Sequence, residues 1–94
     1  MKKIAIIGAG MIGRAWAIVF AKKCDEIVLY DTSHEAIENS MIQISIQAQE
    51  LYKLGLLNEE PNEFLKKISV TNNLKKSLED VYYIQECGPE DIKI

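Results

Sequence analysis

Residues 4–13 read IAIIGAGMIG, and this stretch decides the fold. Its first four residues are an apolar run that ends on glycine, which is typical of a strand buried on both faces of a parallel sheet. Three glycines follow at the spacing G-x-G-x-x-G, namely Gly8, Gly10 and Gly13. Residues 11–23 are then almost entirely apolar, which predicts a helix covered on more than one side. The stretch therefore predicts a strand, a tight glycine turn and a helix in immediate succession.

A second strand and a second helix are predicted from the residues that follow. The run IVLY at residues 27–30 predicts another buried strand, and Asp31 closes it. Thr32 and Glu35 fit a capping box, so we expect a helix whose N-cap is Thr32 and whose end lies near Gly55. Its buried face is predicted from apolar residues at spacings of 4, 3, 4 and 3: Ile37, Met41, Ile44, Ala48 and Leu51.

The rest of the chain continues the alternation of helices and strands. We predict a short helix at residues 58–67, a strand at 68–71, a helical turn at 74–78 and a strand at 81–86. This order of elements is typical of an α/β fold with right-handed crossovers and a parallel sheet, here in the order 3-2-1-4. The chain ends at Ile94, where such a sheet normally continues, so we expect a truncated domain.

The glycine motif and Asp31 together predict a site for a dinucleotide. Gly8 permits the tight turn, Gly10 lets the backbone approach a pyrophosphate, and Gly13 allows the helix to pack closely on the strand. Asp31 lies 18 residues after Gly13, at the end of the second strand, where an acid is expected to bind the ribose. No Lys or Arg follows Asp31 until Lys53, which favours NAD over NADP. We therefore expect the N-terminal part of a Rossmann-type NAD(P)-binding domain.

Composition excludes several other classes of function. The formal net charge is -3, with 11 basic and 14 acidic residues, so we expect no nucleic acid partner. Gly8 and Gly10 interrupt the N-terminal apolar run, so we expect neither a signal peptide nor a membrane span, and a cytoplasmic location. Cys24 and Cys87 with one histidine cannot build a Cys/His metal cage.

The whole chain resembles the NAD-binding domain of the 3-hydroxyacyl-CoA dehydrogenase family. Within that family it is most similar to the branch that contains lambda-crystallin and L-gulonate 3-dehydrogenase. The segment at residues 83–94 is the most specific, because general Rossmann domains share the glycines but not this ending. The segments that carry the resemblance are IIGAGMIGRAWAIVFA at 6–21, VLYD at 28–31, LYKLGLL at 51–57, FLKKISVTNNL at 64–74 and YIQECGPEDIKI at 83–94.

The resemblance implies a role for several residues. The backbone of Met11 and Ile12 would lie on the pyrophosphate, Asp31 would bind the adenosine ribose, and Glu90 would contact NAD near its nicotinamide end. The family's catalytic histidine, its glutamate partner and the substrate-orienting serine and asparagine lie farther along, so none is expected in residues 1–94.

The resemblance also implies the activity of the intact enzyme. The family's members are oxidoreductases of fatty acid metabolism that act on the CH-OH group of a 3-hydroxyacyl-CoA or a small 3-hydroxy acid. They have a helical substrate domain, which this chain would lack, and we expect a homo-oligomer. Residues 32–52 contain no Lys or Arg to meet CoA phosphates, which favours the hydroxy-acid branch.

The sequence leaves two points open. The alternative function is a self-standing, non-catalytic nucleotide-binding or interaction module of the same fold. Cys24 stands where the family often has glycine, so either it adopts a positive φ or the first helix ends differently. His34 is expected on the surface, and Trp16 and Phe20 are expected to pack against a second domain rather than form an aromatic binding platform.

Overall fold

Four strands form one parallel sheet: β1 (Lys3–Ile7), β2 (Glu26–Tyr30), β3 (Ile68–Thr71) and β4 (Tyr83–Glu86). In the computed structural model, which describes residues 2–87, their order is β3-β2-β1-β4. All three pairings are parallel, with Ile4 opposite both Ile27 of β2 and Tyr83 of β4. This arrangement confirms the sheet predicted from the sequence, although β4 begins two residues later than expected.

Four helices connect the strands: α1 (Met11–Ala21), α2 (His34–Lys53), α3 (Pro61–Leu65) and α4 (Leu74–Ser77). α1 contacts β1, β2 and α2, while α2 also contacts α3 and β3. The core lies between these helices and the sheet, where Ile6, Leu29, Ile44 and Phe64 are completely buried. Within residues 2–87, no helix has the length and apolar character needed to cross a membrane.

Two helices differ in their bounds from the sequence prediction. α1 ends at Ala21 rather than near Lys23, and the N–H groups of Lys23 and Cys24 both donate to the Phe20 carbonyl, at 2.9 and 2.7 Å. Among the described non-glycine residues only Asp80 has a positive φ, so the helix ends without a left-handed residue at Cys24. α3 is also shorter than residues 58–67, since it begins at Pro61.

The prediction of Thr32 as the N-cap of α2 is wrong. The N-cap is Ser33, whose side-chain oxygen accepts a hydrogen bond from the Ala36 N–H at 3.1 Å. The Ser33 N–H is itself held by Asp31 Oδ1 at 2.9 Å, which brings Ser33 rather than Thr32 to the capping position. The capping box also predicts a contact from the Glu35 side chain to the N–H of the N-cap residue. This spacing does not apply to Ser33, because Glu35 follows it by two residues and not three.

Candidate cofactor-binding site

The turn from β1 to α1 depends on a glycine at position 8. Gly8 has a φ of +113°, and its N–H donates to the Tyr30 carbonyl of β2 at 2.7 Å. A Cβ atom at this position would lie 1.9 Å from the carbonyl oxygen of Cys87, next to the end of β4. Only glycine accepts both the backbone conformation and this close approach.

The third glycine of the motif allows α1 to begin directly against the turn. A Cβ atom on Gly13 would lie 1.8 Å from the Gly8 carbonyl oxygen and 3.6 Å from the side chain of Ile6. The first turn of the helix therefore packs on the backbone of the loop it follows. This is the packing predicted for the third glycine of a dinucleotide fingerprint.

Gly10 is the N-cap of α1, and no side chain caps the start of this helix. The first residues, Met11 and Ile12, have 67% and 53% of their surface exposed. The beginning of an α-helix carries N–H groups that lack an intrahelical acceptor and the positive end of the helix dipole. With no side chain at Gly10, an anionic group can approach this end of α1.

Asp31 joins the end of β2 to the glycine loop. One carboxylate oxygen, Oδ2, accepts from the Ala9 N–H at 2.8 Å, while Oδ1 accepts from the Ser33 N–H at 2.9 Å. Each carboxylate oxygen can accept more than one hydrogen bond, so these contacts leave capacity for ribose hydroxyl groups. The structure thus brings the predicted ribose acid and the predicted pyrophosphate loop into direct contact.

One contact at this loop was not predicted from the sequence. Arg14 Nη1 donates to the Ala9 carbonyl oxygen at 3.4 Å. The N–H of the same residue donates to Asp31. The only signal in the sequence was that Arg14 interrupts an otherwise apolar helix. Ala9, which is completely buried, was not singled out either.

One other residue considered in the sequence lies outside this cluster. His34 is on the surface, where Nε2 forms a 3.3 Å ion-pair contact with Glu38 Oε2 and both side chains are mostly exposed. This confirms the expected surface position of the imidazole. Glu90 lies outside the described residues.

An aromatic face covers the side of α1 that is turned towards β4. Trp16 and Phe20 are stacked with ring centroids 5.4 Å apart, and Phe20 and Tyr83 are tilted at 5.9 Å. These rings, with Ile4 and Tyr82, border an open groove of about 380 Å³. Trp16 keeps 38% of its surface exposed, so residues 2–87 cover this face only in part.

Comparisons with known proteins agree with the geometry of the loop. Residues 3–94 match the family model described as 3-hydroxyacyl-CoA dehydrogenase, NAD binding domain. The chain is 34% identical over 93 residues to a lambda-crystallin homolog of Homo sapiens, which covers 97% of this chain and 29% of that protein. It is 33% identical over 92 residues to an L-carnitine dehydrogenase of Oceanobacillus iheyensis, covering 96% of this chain and 28% of the relative.

A solved structure also resembles this fold. The 3-hydroxybutyryl-CoA dehydrogenase of Escherichia coli K12 superimposes with a TM-score of 0.83 at 26% identity, over 95% of this chain and 19% of that one. The chain therefore spans less than a third of the length of the relatives it matches. Since the family model covers nearly every residue, the chain belongs to the 3-hydroxyacyl-CoA dehydrogenase family, in which it corresponds to the NAD-binding domain.

Proposed function

We propose that this chain is the cofactor-binding portion of an NAD-dependent oxidoreductase that acts on the CH-OH group of a 3-hydroxyacyl-CoA or a small 3-hydroxy acid. Residues 1–94 would form the N-terminal part of the dinucleotide-binding domain. Sequence outside these residues would supply the helical substrate domain and the catalytic groups. The family match and the names of the relatives support this assignment, since they include a carnitine dehydrogenase and a hydroxybutyryl-CoA dehydrogenase.

The observation that carries the proposal is the contact between Asp31 and the glycine loop. The Asp31 carboxylate lies 2.8 Å from the Ala9 N–H, so the group proposed for the ribose is one hydrogen bond from the backbone proposed for the phosphates. In a dinucleotide, the adenosine ribose and the pyrophosphate are joined by a single methylene group. A site that recognises both must hold its acid and its loop this close together.

The residues of the site fit NAD. Gly8 and Gly13 allow the tight turn and the close packing of α1, and Gly10 leaves the start of the helix without a side chain. The backbone of Met11 and Ile12 would meet the pyrophosphate there. Asp31 would accept hydrogen bonds from the ribose hydroxyls, and Glu90 would contact the nicotinamide end. When bound at these residues, NAD would supply the hydride acceptor for oxidation of the substrate's CH-OH group.

We further propose that these 94 residues bind the cofactor without turning substrate over. A general base must lie within hydrogen-bond reach of the substrate hydroxyl, at about 3 Å. The single histidine, His34, instead lies at the start of α2, exposed and paired with Glu38. The proposed role of the chain is therefore to hold and orient NAD.

Calorimetric titration with NAD and NADP tests the proposal. The wild-type chain should prefer NAD, because a 2′-phosphate would meet the Asp31 carboxylate. Asp31→Ala should weaken NAD binding by about 1–3 kcal/mol, since ribose hydroxyls would lose a charged partner. Asp25→Ala removes an exposed acid before β2 and should leave binding unchanged.

Two results would count against the assignment. A wild-type chain that binds NAD and NADP equally would show that Asp31 does not read the ribose. A correctly folded wild-type chain with no affinity for NAD would reject cofactor binding by these residues altogether.

A further inference from the structure

Charged side chains contact both peptide groups that flank Ala9 in the glycine loop. Asp31 Oδ2 accepts from the Ala9 N–H at 2.8 Å, and Arg14 Nη1 donates to the Ala9 carbonyl oxygen at 3.4 Å. The two side chains come from different elements, the end of β2 and the first part of α1. The Asp31 contact has the length of a strong, charge-assisted hydrogen bond, and Arg14 adds a longer contact to the next peptide group.

The position of Arg14 opposes the electrostatics of its own helix. A cation near the start of a helix is repelled by the positive end of the helix dipole, whereas anions are stabilised there. The first turn of α1 contains no acidic residue, and Arg14 belongs to none of the ion pairs formed among residues 2–87. Lys22 and Lys23 follow the last helical residue, at the end where cations are favoured.

A cation that no ion pair among residues 2–87 neutralises raises the positive potential at this end of the helix, where an anion would bind. The charge of Arg14 adds to the dipole of α1 and to the N–H groups of its first turn. Arg14 thus destabilises the start of α1 in the free protein. The same charge would stabilise a bound pyrophosphate, which would supply the negative charge that the first turn lacks.

We propose that Arg14 is a positioning residue. It would hold Ala9 in the conformation in which its N–H meets Asp31, and so keep the glycine loop in the shape that binds the pyrophosphate. This inference rests on the proposed function of the site. Asp31 would contact the nucleotide itself, whereas Arg14 would act through the loop and through its charge. Removal of Arg14 should therefore weaken ligands that carry a pyrophosphate more than ligands that carry only the ribose.

The experiment compares Arg14→Met and Arg14→Lys with wild type. Calorimetry gives the Kd of each protein for NAD, ADP and adenosine at two salt concentrations, and circular dichroism checks the fold. Amide hydrogen exchange of the loop is measured without nucleotide. Lys23→Met is the charge control, because it removes one positive charge at the other end of α1, where the side chain is exposed.

Arg14→Met should raise the Kd for NAD and for ADP about tenfold, while the Kd for adenosine changes less than twofold. Its NAD affinity should also depend less on salt, since one cation near the phosphates is gone. Exchange of the Ala9 and Gly10 amides should become faster. Arg14→Lys should recover part of the affinity, because it restores the charge without the guanidinium geometry.

The possible results separate this inference from the proposed function. If wild type binds NAD and a folded Arg14→Met binds it within twofold of wild type, the role of Arg14 is rejected while the proposed function stands. An equal loss for adenosine and ADP would also reject it, because Arg14 would then only support the fold. If wild type binds none of the three ligands, the proposed function fails first.

Discussion

The glycine loop and the outer edge of the sheet are packed in opposite ways. At the loop, Cβ atoms added to Gly8 and Gly13 would lie 1.9 and 1.8 Å from backbone oxygens, so no space remains. At the edge, Tyr83 and Ile84 of β4 keep 46% and 45% of their surface exposed, and the strand pairs only with β1 among the described residues. The loop is therefore enclosed by backbone, including the carbonyl of Cys87 directly after β4, whereas the outer edge of β4 presents surface that this part of the chain does not cover.

The largest effect on stability and binding is expected when a side chain is added to the glycine loop. Gly13→Ala would push a methyl group into the Gly8 carbonyl, so α1 would have to move away from β1. We expect this variant to lose about 3 kcal/mol or more of its free energy of unfolding, and to lose NAD binding. Urea denaturation followed by circular dichroism and a calorimetric titration would measure both effects.

Gly55→Ala provides the comparison for this variant. Gly55 also requires glycine for its backbone, with a φ of +76°, but no atom lies within 4 Å of the added Cβ. The substitution should cost about 1–2 kcal/mol through the left-handed conformation alone, and NAD binding should persist. Equal losses of stability in the two variants would mean that space at the loop is not the deciding factor.

A smaller effect is expected at the outer edge, where we predict self-association. An exposed strand with an apolar surface is a template for pairing with another chain. Sedimentation velocity at increasing concentrations should detect an associated species in wild type, which Ile84→Lys should reduce because an edge lysine hinders pairing. Ile42→Lys, an equally drastic change at an exposed position on α2, should not reduce it. A wild-type chain that stays monomeric at high concentration would contradict the prediction.

The smallest effect is expected at an exposed contact outside both regions. Tyr52 Oη donates to Glu60 Oε2 at 2.7 Å, and this hydrogen bond, together with the Glu60 charge, raises the pKa of Tyr52 above 10.0. The contribution to stability is present below pH 10 and is lost as the pH rises through the higher pKa of the folded state. Tyr52→Phe should therefore flatten the alkaline decline of the melting temperature without altering NAD binding. An unchanged alkaline profile would show that the contact is not maintained in solution.

The fold was largely predictable from the sequence because its strong signals are local. The apolar runs at residues 4–7 and 27–30 and the spacing of the glycines identified β1, β2 and the turn before α1. The sheet order followed from the alternation of strands and helices and from the handedness of crossovers. Boundaries were less accurate, as β4 shows, because Val81 and Tyr82 continue the apolar pattern without continuing the strand.

The candidate site was only partly predictable, since its key contacts join residues distant in sequence. The pattern alone identified the glycines and Asp31. It indicated Thr32 as the N-cap through the spacing to Glu35, whereas a local hydrogen bond from the Ser33 N–H to Asp31 places Ser33 at that position. The Arg14 contact depends on where one long side chain lies, and a helix that is apolar elsewhere carries no signal for that.

The contact between Gly8 and Cys87 links the glycine loop to the outer edge of the sheet. The Cys87 carbonyl lies where a Gly8 side chain would be, and the Cys87 N–H donates to the Ile7 carbonyl at 2.8 Å. One wall of the loop is therefore made by the residue that directly follows β4. Whenever β4 detaches from β1, this wall leaves with it, so the loop and the edge strand belong to one cooperative unit of local unfolding. The Cys87 carbonyl therefore encloses the glycine turn only for as long as β4 remains paired with β1.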